Sequence, residues 1–307
     1  MRRRPRGQVA ILAIAALLAA RPVWAQNRGV YPLGMSATNS GATPEPGFTF
    51  ANQLLFYSRD ESRGADGESI QTGNNSVILA MNGFVWASKQ EILGGARFSM
   101  SATLPISNNS LSSDAAGAIS GGGGLADSYY QPVILGWQRK RASVRTIYGF
   151  LAPTGSFTPG ATSNVGSGYW THVVASGQTF YLTQNNRTSV SAFQMYEFHT
   201  TQEGTGIHPG QTIDLDYSVM QTVSQHSDFS VQVGLAGYGQ WQTTDKTGPG
   251  VSPDQEDARY TVNSLGFATN IVWPPRRVSL GFKYFKEFSN RSTFQGYSAQ
   301  ISGSVGF

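Results

Sequence analysis

Residues 213–219 read Ile213-Asp214-Leu215-Asp216-Tyr217-Ser218-Val219. Every odd position of this stretch holds an apolar or aromatic side chain, and every even position holds a polar or acidic one. Successive side chains of a β-strand point to opposite faces, so the stretch predicts a strand with one apolar and one polar face. A slip of one residue would exchange the two faces, and the pattern therefore specifies the register as well.

The same period-two pattern recurs along the rest of the chain. Twelve such segments run at 47–58, 75–88, 93–105, 127–139, 142–153, 169–182, 188–200, 211–223, 228–243, 259–273, 277–289 and 294–307. A tilted strand needs about 9–11 residues to cross the hydrocarbon of a bilayer, and each segment is long enough. Short and longer connections alternate between them, which is typical of outer-membrane barrels. The connection at 106–126 contains the run Gly121 to Gly124 and is expected to be a flexible outer loop. The sequence predicts an all-β fold, a transmembrane antiparallel up-and-down β-barrel of about 12 strands.

An even number of strands places both ends of the barrel on the same side of the membrane. The last segment, which ends at Phe307, is then expected to pair with the first, so that no strand edge is left exposed.

Composition supports a membrane barrel. Charged residues make up 13% of the chain and aromatic residues 12%, whereas a soluble domain carries about 25% charged residues. After residue 25 no apolar run reaches the 18 residues or so that a membrane-spanning helix requires, which excludes a helical membrane protein. The chain contains no cysteine and therefore no disulfide.

The first 25 residues have the pattern of a signal peptide. Basic residues precede an apolar run from Val9 to Ala20, and cleavage is expected near Ala25. Without this segment 17 basic residues face 18 acidic ones, a net charge of about −1 that argues against a nucleic-acid partner. We expect a signal peptide at 1–25, an N-terminal periplasmic arm or small plug at 26–46, and the barrel at 47–307, in a bacterial outer membrane.

Charged residues on the polar faces are the first group of candidate site residues. We expect an ion-pair network in the lumen, with contact to a solute as the alternative and acid–base chemistry by the Asp214 and Asp216 pair as a third possibility. The group consists of Arg97, Arg145, Glu197, Asp214, Asp216, Lys283 and Glu287.

Large apolar residues on predicted inward faces are the second group. A water-filled pore has little use for them, so they either fill the lumen or form a path for a hydrophobic solute. The group consists of Phe84, Trp86, Trp170, Phe180, Phe193, Met195 and Phe285.

An enzyme is disfavoured. A barrel phospholipase needs a histidine and a serine two positions apart on one strand face, and none of the four histidines has a serine at the second position after it. His172 and Ser176 share a strand face but are separated by about 13 Å. We therefore interpret His172 as a lumen residue without a catalytic role. We predict that the protein is not an enzyme and uses no metal or cofactor.

Three parts of the sequence resemble one family, the outer-membrane proteins of the phenol-degradation MetA-pathway type, which are related to hydrophobic-compound transporters. They are Gly29-Val30-Tyr31 with Pro44 to Phe48, Ala152 to Phe157 with Asn164-Val165-Gly166 and Tyr169-Trp170, and Lys283 to Phe288 with Asn290-Arg291 and Gln295-Gly296.

The resemblance implies passive uptake of a small hydrophobic or aromatic compound through the barrel lumen. The implied partners are the lipid bilayer, that solute, and the outer-membrane assembly machinery, which would read the C-terminal Phe307. The alternative is a structural or ligand-binding barrel with a plugged lumen.

Overall fold

A computed structural model of the chain describes residues 28–113, 117–161, 163–249, 251, 256 and 258–307. The predicted signal peptide lies outside these residues. No helix among them is long and apolar enough to cross a membrane.

Thirteen strands make up most of the described chain. Their bounds are β1 Gly47–Arg63, β2 Ser69–Ile92, β3 Ala96–Ser113, β4 Gly117–Leu125, β5 Ser128–Arg139, β6 Ala142–Ala152, β7 Thr171–Tyr181, β8 Thr188–His199, β9 Thr212–Gln225, β10 Ser230–Gln242, β11 Thr261–Trp273, β12 Val278–Glu287 and β13 Thr293–Gly306.

Twelve of these strands close into an antiparallel barrel. Consecutive strands pair around the ring, β3 pairs with both β2 and β5, and β13 returns to pair with β1. The predicted twelve-strand fold and the closing seam of the C-terminal strand are thus confirmed. Five short connections (93–95, 140–141, 182–187, 226–229 and 274–277) lie at one end of the barrel, and the longest ones (153–170, 200–211 and 243–260) lie at the other.

The remaining strand, β4, corrects the prediction for residues 106–126. The glycine-rich stretch there predicted a flexible loop, but β3 continues to Ser113 and forms a hairpin with β4 beyond the barrel wall. Ser107 pairs with Gly124 and Asn108 with Gly123. Ladder hydrogen bonds need only backbone groups, so low β-propensity did not prevent the pairing. Likewise β1 and β2 extend well into the connection predicted at 59–74.

The barrel is polar inside and apolar outside. Along β9 the buried positions are Asp214, Asp216, Ser218 and their even-numbered neighbours, whereas Ile213, Tyr217 and Val219 are exposed. On β12, Lys283, Phe285 and Glu287 are buried, and Leu280 and Phe282 are exposed. The register predicted from the alternation is confirmed for both strands, because charged side chains cannot face lipid at low cost.

The core lies inside the lumen and includes residues from the segment before β1. One buried cluster contains Tyr31 with Phe193 and Met195, and the other contains Ala37 with Phe285. Leu33 packs against both clusters. Residues 28–46 therefore fold back into the barrel rather than extending away from it.

Candidate functional site

Glycines allow the segment 28–46 to lie directly on the inner wall. A Cβ atom on Gly41 would stand 1.9 Å from the Ser143 carbonyl oxygen, and one on Gly177 would stand 2.0 Å from the Ser40 carbonyl oxygen. No side chain fits at either position, so backbone meets backbone along β6 and β7.

Two buried carboxylates on the neighbouring strands β8 and β9 hold the same segment. Glu197 accepts the backbone N–H groups of Val30 and Tyr31 at 2.9 and 2.8 Å. Asp216 accepts the Tyr31 hydroxyl at 2.7 Å and the N–H groups of Gly34 and Ser36 at 2.9 Å each. Hydrogen bonds to charged acceptors are stronger than neutral ones, so these five bonds define the position of residues 30–36.

Two further charged residues on β12 complete the attachment. Lys283 Nζ donates to the carbonyl oxygens of Gly34 and Met35 at 2.8 and 2.6 Å. Glu287 forms an ion pair with Arg28 at 2.7 Å and also accepts the Tyr57 and Tyr238 hydroxyls. Every lumen charge on β12 is thus engaged by the N-terminal segment.

The ion-pair network expected among the predicted lumen charges is not formed by the residues named for it. Among the described residues, the predicted lumen charges form one ion pair with an arginine or a lysine. It joins Glu287 to Arg28 of the N-terminal segment. Asp214 accepts from Gln240 Nε2 at 2.6 Å. Sequence alone could not show that backbone groups of residues 30–36 would replace the expected basic partners.

Arg97 on β3 and Arg145 on β6 also face the lumen. Arg97 pairs with Gly136 and Gly136 with Arg145 across β3, β5 and β6, and cross-strand partners share a face. The Arg145 Cζ atom lies 5.8 Å from the centre of the Phe193 ring.

The predicted inward aromatics divide into two groups. Phe193 is buried against Tyr31 with 5.5 Å between ring centres, and Phe285 is buried beneath Gly34. Both seat the N-terminal segment, and Met195 is buried next to Phe193 in the same cluster.

The remaining four face outward, which corrects the prediction. Trp170 and Phe180 are 45% and 50% exposed on the outer side, and Phe84 is 50% exposed. Trp86 pairs in register with the exposed Phe48 and Met100 and so shares their face. On β7 the small residues Val173, Ala175 and Gly177 point inward instead, which makes room for the segment 28–46.

His172 also lies on the outer face, where its ring stacks with that of Tyr148. The interpretation of His172 as a lumen residue was therefore wrong. Among the described residues, no group of three or more His, Cys, Asp or Glu side chains could hold a metal ion.

A cavity of about 340 Å³ lies between the N-terminal segment and the wall formed by β2, β3 and β5. Its lining is mostly apolar and includes Tyr31, Met35, Leu79, Met81, Tyr129, Leu151 and Met195. Residues 165–167 of a long connection also line it, which places its mouth at the end of the barrel with the longer connections. Among these residues only Met195 was a predicted site residue. On β2 the prediction placed Phe84 and Trp86 inward, whereas Leu79 and Met81 are the residues that face the cavity.

A second cavity of about 220 Å³ lies on the other side of the segment and is lined mainly by polar residues, among them Gln53, Asn270 and Lys283. Met35 lines both cavities. The N-terminal segment thus separates an apolar chamber from a polar one.

The sequence matches a family model described as "Putative MetA-pathway of phenol degradation" over residues 59–302. Among solved structures, the barrel is similar to the COG4313 outer membrane channel from Pseudomonas putida F1, with a TM-score of 0.68 and 12% identity, covering 88% of this chain and 98% of that one. A deltaS2 mutant of the TodX monoaromatic hydrocarbon channel has a TM-score of 0.39 and 9% identity, covering 88% of this chain and 93% of that one. Identity at this level shows the fold alone, and the TodX likeness is too distant to carry an argument. No curated protein matches the sequence.

Proposed function

The chain belongs to the family described as "Putative MetA-pathway of phenol degradation", and from this premise we propose that it passes a small hydrophobic or aromatic compound through its lumen. The supporting observation is the apolar cavity of about 340 Å³. Ligand pockets begin at about 300 Å³, so the cavity suits a small molecule.

The route runs from the long connections inward. A solute enters beside residues 165–167, contacts Leu79, Met81 and Met195, and meets the N-terminal segment at Met35. Beyond Met35 lies the polar cavity, which opens toward the end with the shorter connections. Passage requires residues around Met35 to shift, so the described part of the N-terminal segment, residues 28–46, acts as a small plug rather than a periplasmic arm.

The predicted site residues take different roles in this proposal. Glu197, Asp216, Lys283 and Glu287 hold the plug, and Phe193 and Phe285 are its seat. The solute contacts aliphatic side chains, methionines and tyrosines instead of an aromatic path.

A ligand-binding barrel with a plugged lumen is the second candidate. The dense hydrogen bonding of residues 28–36 favours it, because a firmly held plug would keep the solute in the apolar cavity without passage.

The setting of either function is the outer membrane of a Gram-negative bacterium. A broad band of exposed apolar residues, including Leu235, Leu265 and Ile301, would face the lipid. Phe307 is 73% exposed at the end of β13, where its side chain is accessible to an assembly machinery.

Uptake of toluene by cells that express the protein tests passage. Leu79→Trp fills the apolar cavity and should lower the initial uptake rate towards that of cells lacking the protein. The matched control is Leu235→Trp, which places the same side chain on the outer face, where Leu235 is 62% exposed.

Equal uptake by cells with and without the wild-type protein would refute passage. If toluene nevertheless binds the purified wild type and not Leu79→Trp, the plugged, ligand-binding barrel is supported.

A further inference from the structure

Three short connections lie side by side at one end of the barrel. They are 93–95 between β2 and β3, 140–141 between β5 and β6, and 182–187 between β7 and β8. They follow one another around the rim, because β3 is paired with β5 and β6 is paired with β7. Short connections of outer-membrane barrels face the periplasm, so this rim meets the periplasmic leaflet of the membrane.

Side chains on β5 join the first connection to the second. Trp137 Nε1 donates a hydrogen bond to the Leu93 carbonyl oxygen at 3.1 Å. Arg139 Nη2 donates to the Gly94 carbonyl oxygen at 2.8 Å. The backbone of the first connection is therefore held against the end of β5.

The second and third connections are joined in the same way. Arg141 Nη2 donates to the carbonyl oxygens of Tyr181 and Leu182 at 3.0 and 2.6 Å. Asn186 Nδ2 donates to the Lys140 carbonyl oxygen at 3.1 Å, which brings Lys140 close to the neighbouring Arg187. The three connections thus form one continuous surface.

Basic residues dominate this surface, which we call the basic patch. All of its charged side chains are exposed, and none of the basic ones forms an ion pair among the described residues. Five positive charges face one negative charge, an excess of four. The residues are Lys89, Arg139, Lys140, Arg141 and Arg187 against Glu91.

The other two short connections lack this excess. Residues 226–229 include Asp228 and no lysine or arginine. In residues 274–277, the Arg277 side chain donates to the carbonyl oxygens of Phe307 and Pro46, which leaves Arg276. The positive charge is therefore concentrated on one side of the rim, which indicates a local site.

Exposed apolar side chains border the basic patch. Leu182 and Phe180 are at least half exposed, and Phe180 lies on the outer face of β7. Leu93 is 70% exposed, and its φ of 42° is in the left-handed region, which glycine adopts at lower cost. A leucine at this position supplies an apolar side chain to the rim.

Cationic and apolar side chains together match the boundary between lipid headgroups and acyl chains. Arginine and lysine bind phosphate oxygens by charge-assisted hydrogen bonds. Clustered basic residues beside a membrane attract anionic lipids, whereas a zwitterionic headgroup leaves the excess charge uncompensated. A surface that served solubility alone would not need the exposed leucines.

From this arrangement we propose that the basic patch binds an anionic phospholipid of the phosphatidylglycerol type in the leaflet around the short connections. Its phosphate contacts Lys140, Arg141 and Arg187, and an acyl chain lies against Phe180 and Leu182. The site is on the outside of the barrel and is independent of solute passage through the lumen.

Native mass spectrometry of the purified barrel in a neutral detergent measures the binding. Phosphatidylglycerol should bind more tightly than phosphatidylcholine with the same acyl chains. A basic residue near an anionic surface strengthens binding about fivefold, so the double variant Lys140→Gln/Arg187→Gln should bind phosphatidylglycerol about 25-fold more weakly. Neither side chain forms a hydrogen bond among the described residues, so the fold should be retained.

The matched control removes the same charge elsewhere. Arg276→Gln/Arg291→Gln changes two exposed arginines outside the basic patch, the second of them at the other end of the barrel, and should keep the affinity of the wild type. The heat-dependent gel shift verifies folding. Should the double variant of the patch fail to fold, Arg187→Gln alone should still weaken binding about fivefold.

Equal affinity of the wild type for the two phospholipids would overturn the proposal. An equal loss in the two double variants would also overturn it, because net charge and not the patch would then determine binding. Glycerol phosphate, the headgroup without acyl chains, should not compete at the concentrations at which the lipid binds. Competition at those concentrations would show a free phosphate site instead.

Discussion

Replacing Asp216 by alanine should release the plug while leaving the barrel intact. The carboxylate of Asp216 is fully buried and accepts three hydrogen bonds, from the Tyr31 hydroxyl and from the N–H groups of Gly34 and Ser36. None of these bonds belongs to the strand ladder, because the backbone of Asp216 pairs with Phe193 and Tyr238 on the neighbouring strands.

The expected loss follows from those three bonds. A hydrogen bond to a charged group contributes at least about 1.5 kcal/mol. Ser36 keeps one acceptor, because its N–H group is also 2.9 Å from the Tyr31 hydroxyl oxygen. The seating of the plug should therefore weaken by about 3–4.5 kcal/mol, which corresponds to a rise in the opening equilibrium of about 10²- to 10³-fold.

Hydrogen exchange detected by mass spectrometry measures this change directly. Amides of residues 30–36 should exchange faster by that factor in Asp216→Ala, whereas amides of β9 to β12 should keep their protection. Asp216→Asn retains one acceptor oxygen and should fall between the variant and the wild type.

A carboxylate outside the lumen provides the control. Asp245 lies in the 243–260 connection, where a hydrogen bond from Arg259 lowers the pKa of its carboxyl group. Asp245→Asn should leave the exchange of residues 30–36 unchanged. The reasoning is refuted if Asp216→Ala is folded and its exchange at residues 30–36 stays within about threefold of the wild type, a change of only about 0.7 kcal/mol.

Two other substitutions probe the wall and the chain end. Gly177→Ala puts a methyl group 2.0 Å from the Ser40 carbonyl oxygen and should destabilise the seating of residues 38–43 by about 1–3 kcal/mol in the same exchange experiment. Gly303→Ala is the control, because the nearest atom to its added methyl group is 3.4 Å away, and it should leave the exchange unchanged. Equal exchange in the two variants would contradict the close contact at Gly177. Phe307→Ala keeps the hydrogen bond from its backbone N–H to the Phe48 carbonyl oxygen and the one that its own carbonyl oxygen accepts from the Arg277 side chain. The purified variant should therefore melt at the same temperature as the wild type, while the amount assembled in the outer membrane falls. An undiminished amount would show that the assembly machinery does not recognise this side chain.

The charged part of the site was predictable because alternation specifies the face on which a residue lies. Asp214, Asp216, Lys283 and Glu287 are on the lumen side, as the pattern indicated, since charges at these positions would otherwise face lipid. For aromatic residues the same rule fails, because a large apolar side chain is stable on either face. Trp86 and Trp170 were therefore assigned to the wrong side.

By itself the sequence determined the number of barrel strands, their closure and the register of the strands that carry lumen charges, such as β9 and β12, because these follow from local period-two patterning and the pairing of every edge. Only the tertiary structure decided what fills the lumen. Residues 28–46 have no strand pattern, and their position depends on contacts with residues more than 100 positions away, such as Glu197 with Tyr31 and Ser143 with Gly41. Such contacts leave no periodic signal in the segment itself, so the apolar cavity between wall and plug could be located only from the tertiary structure.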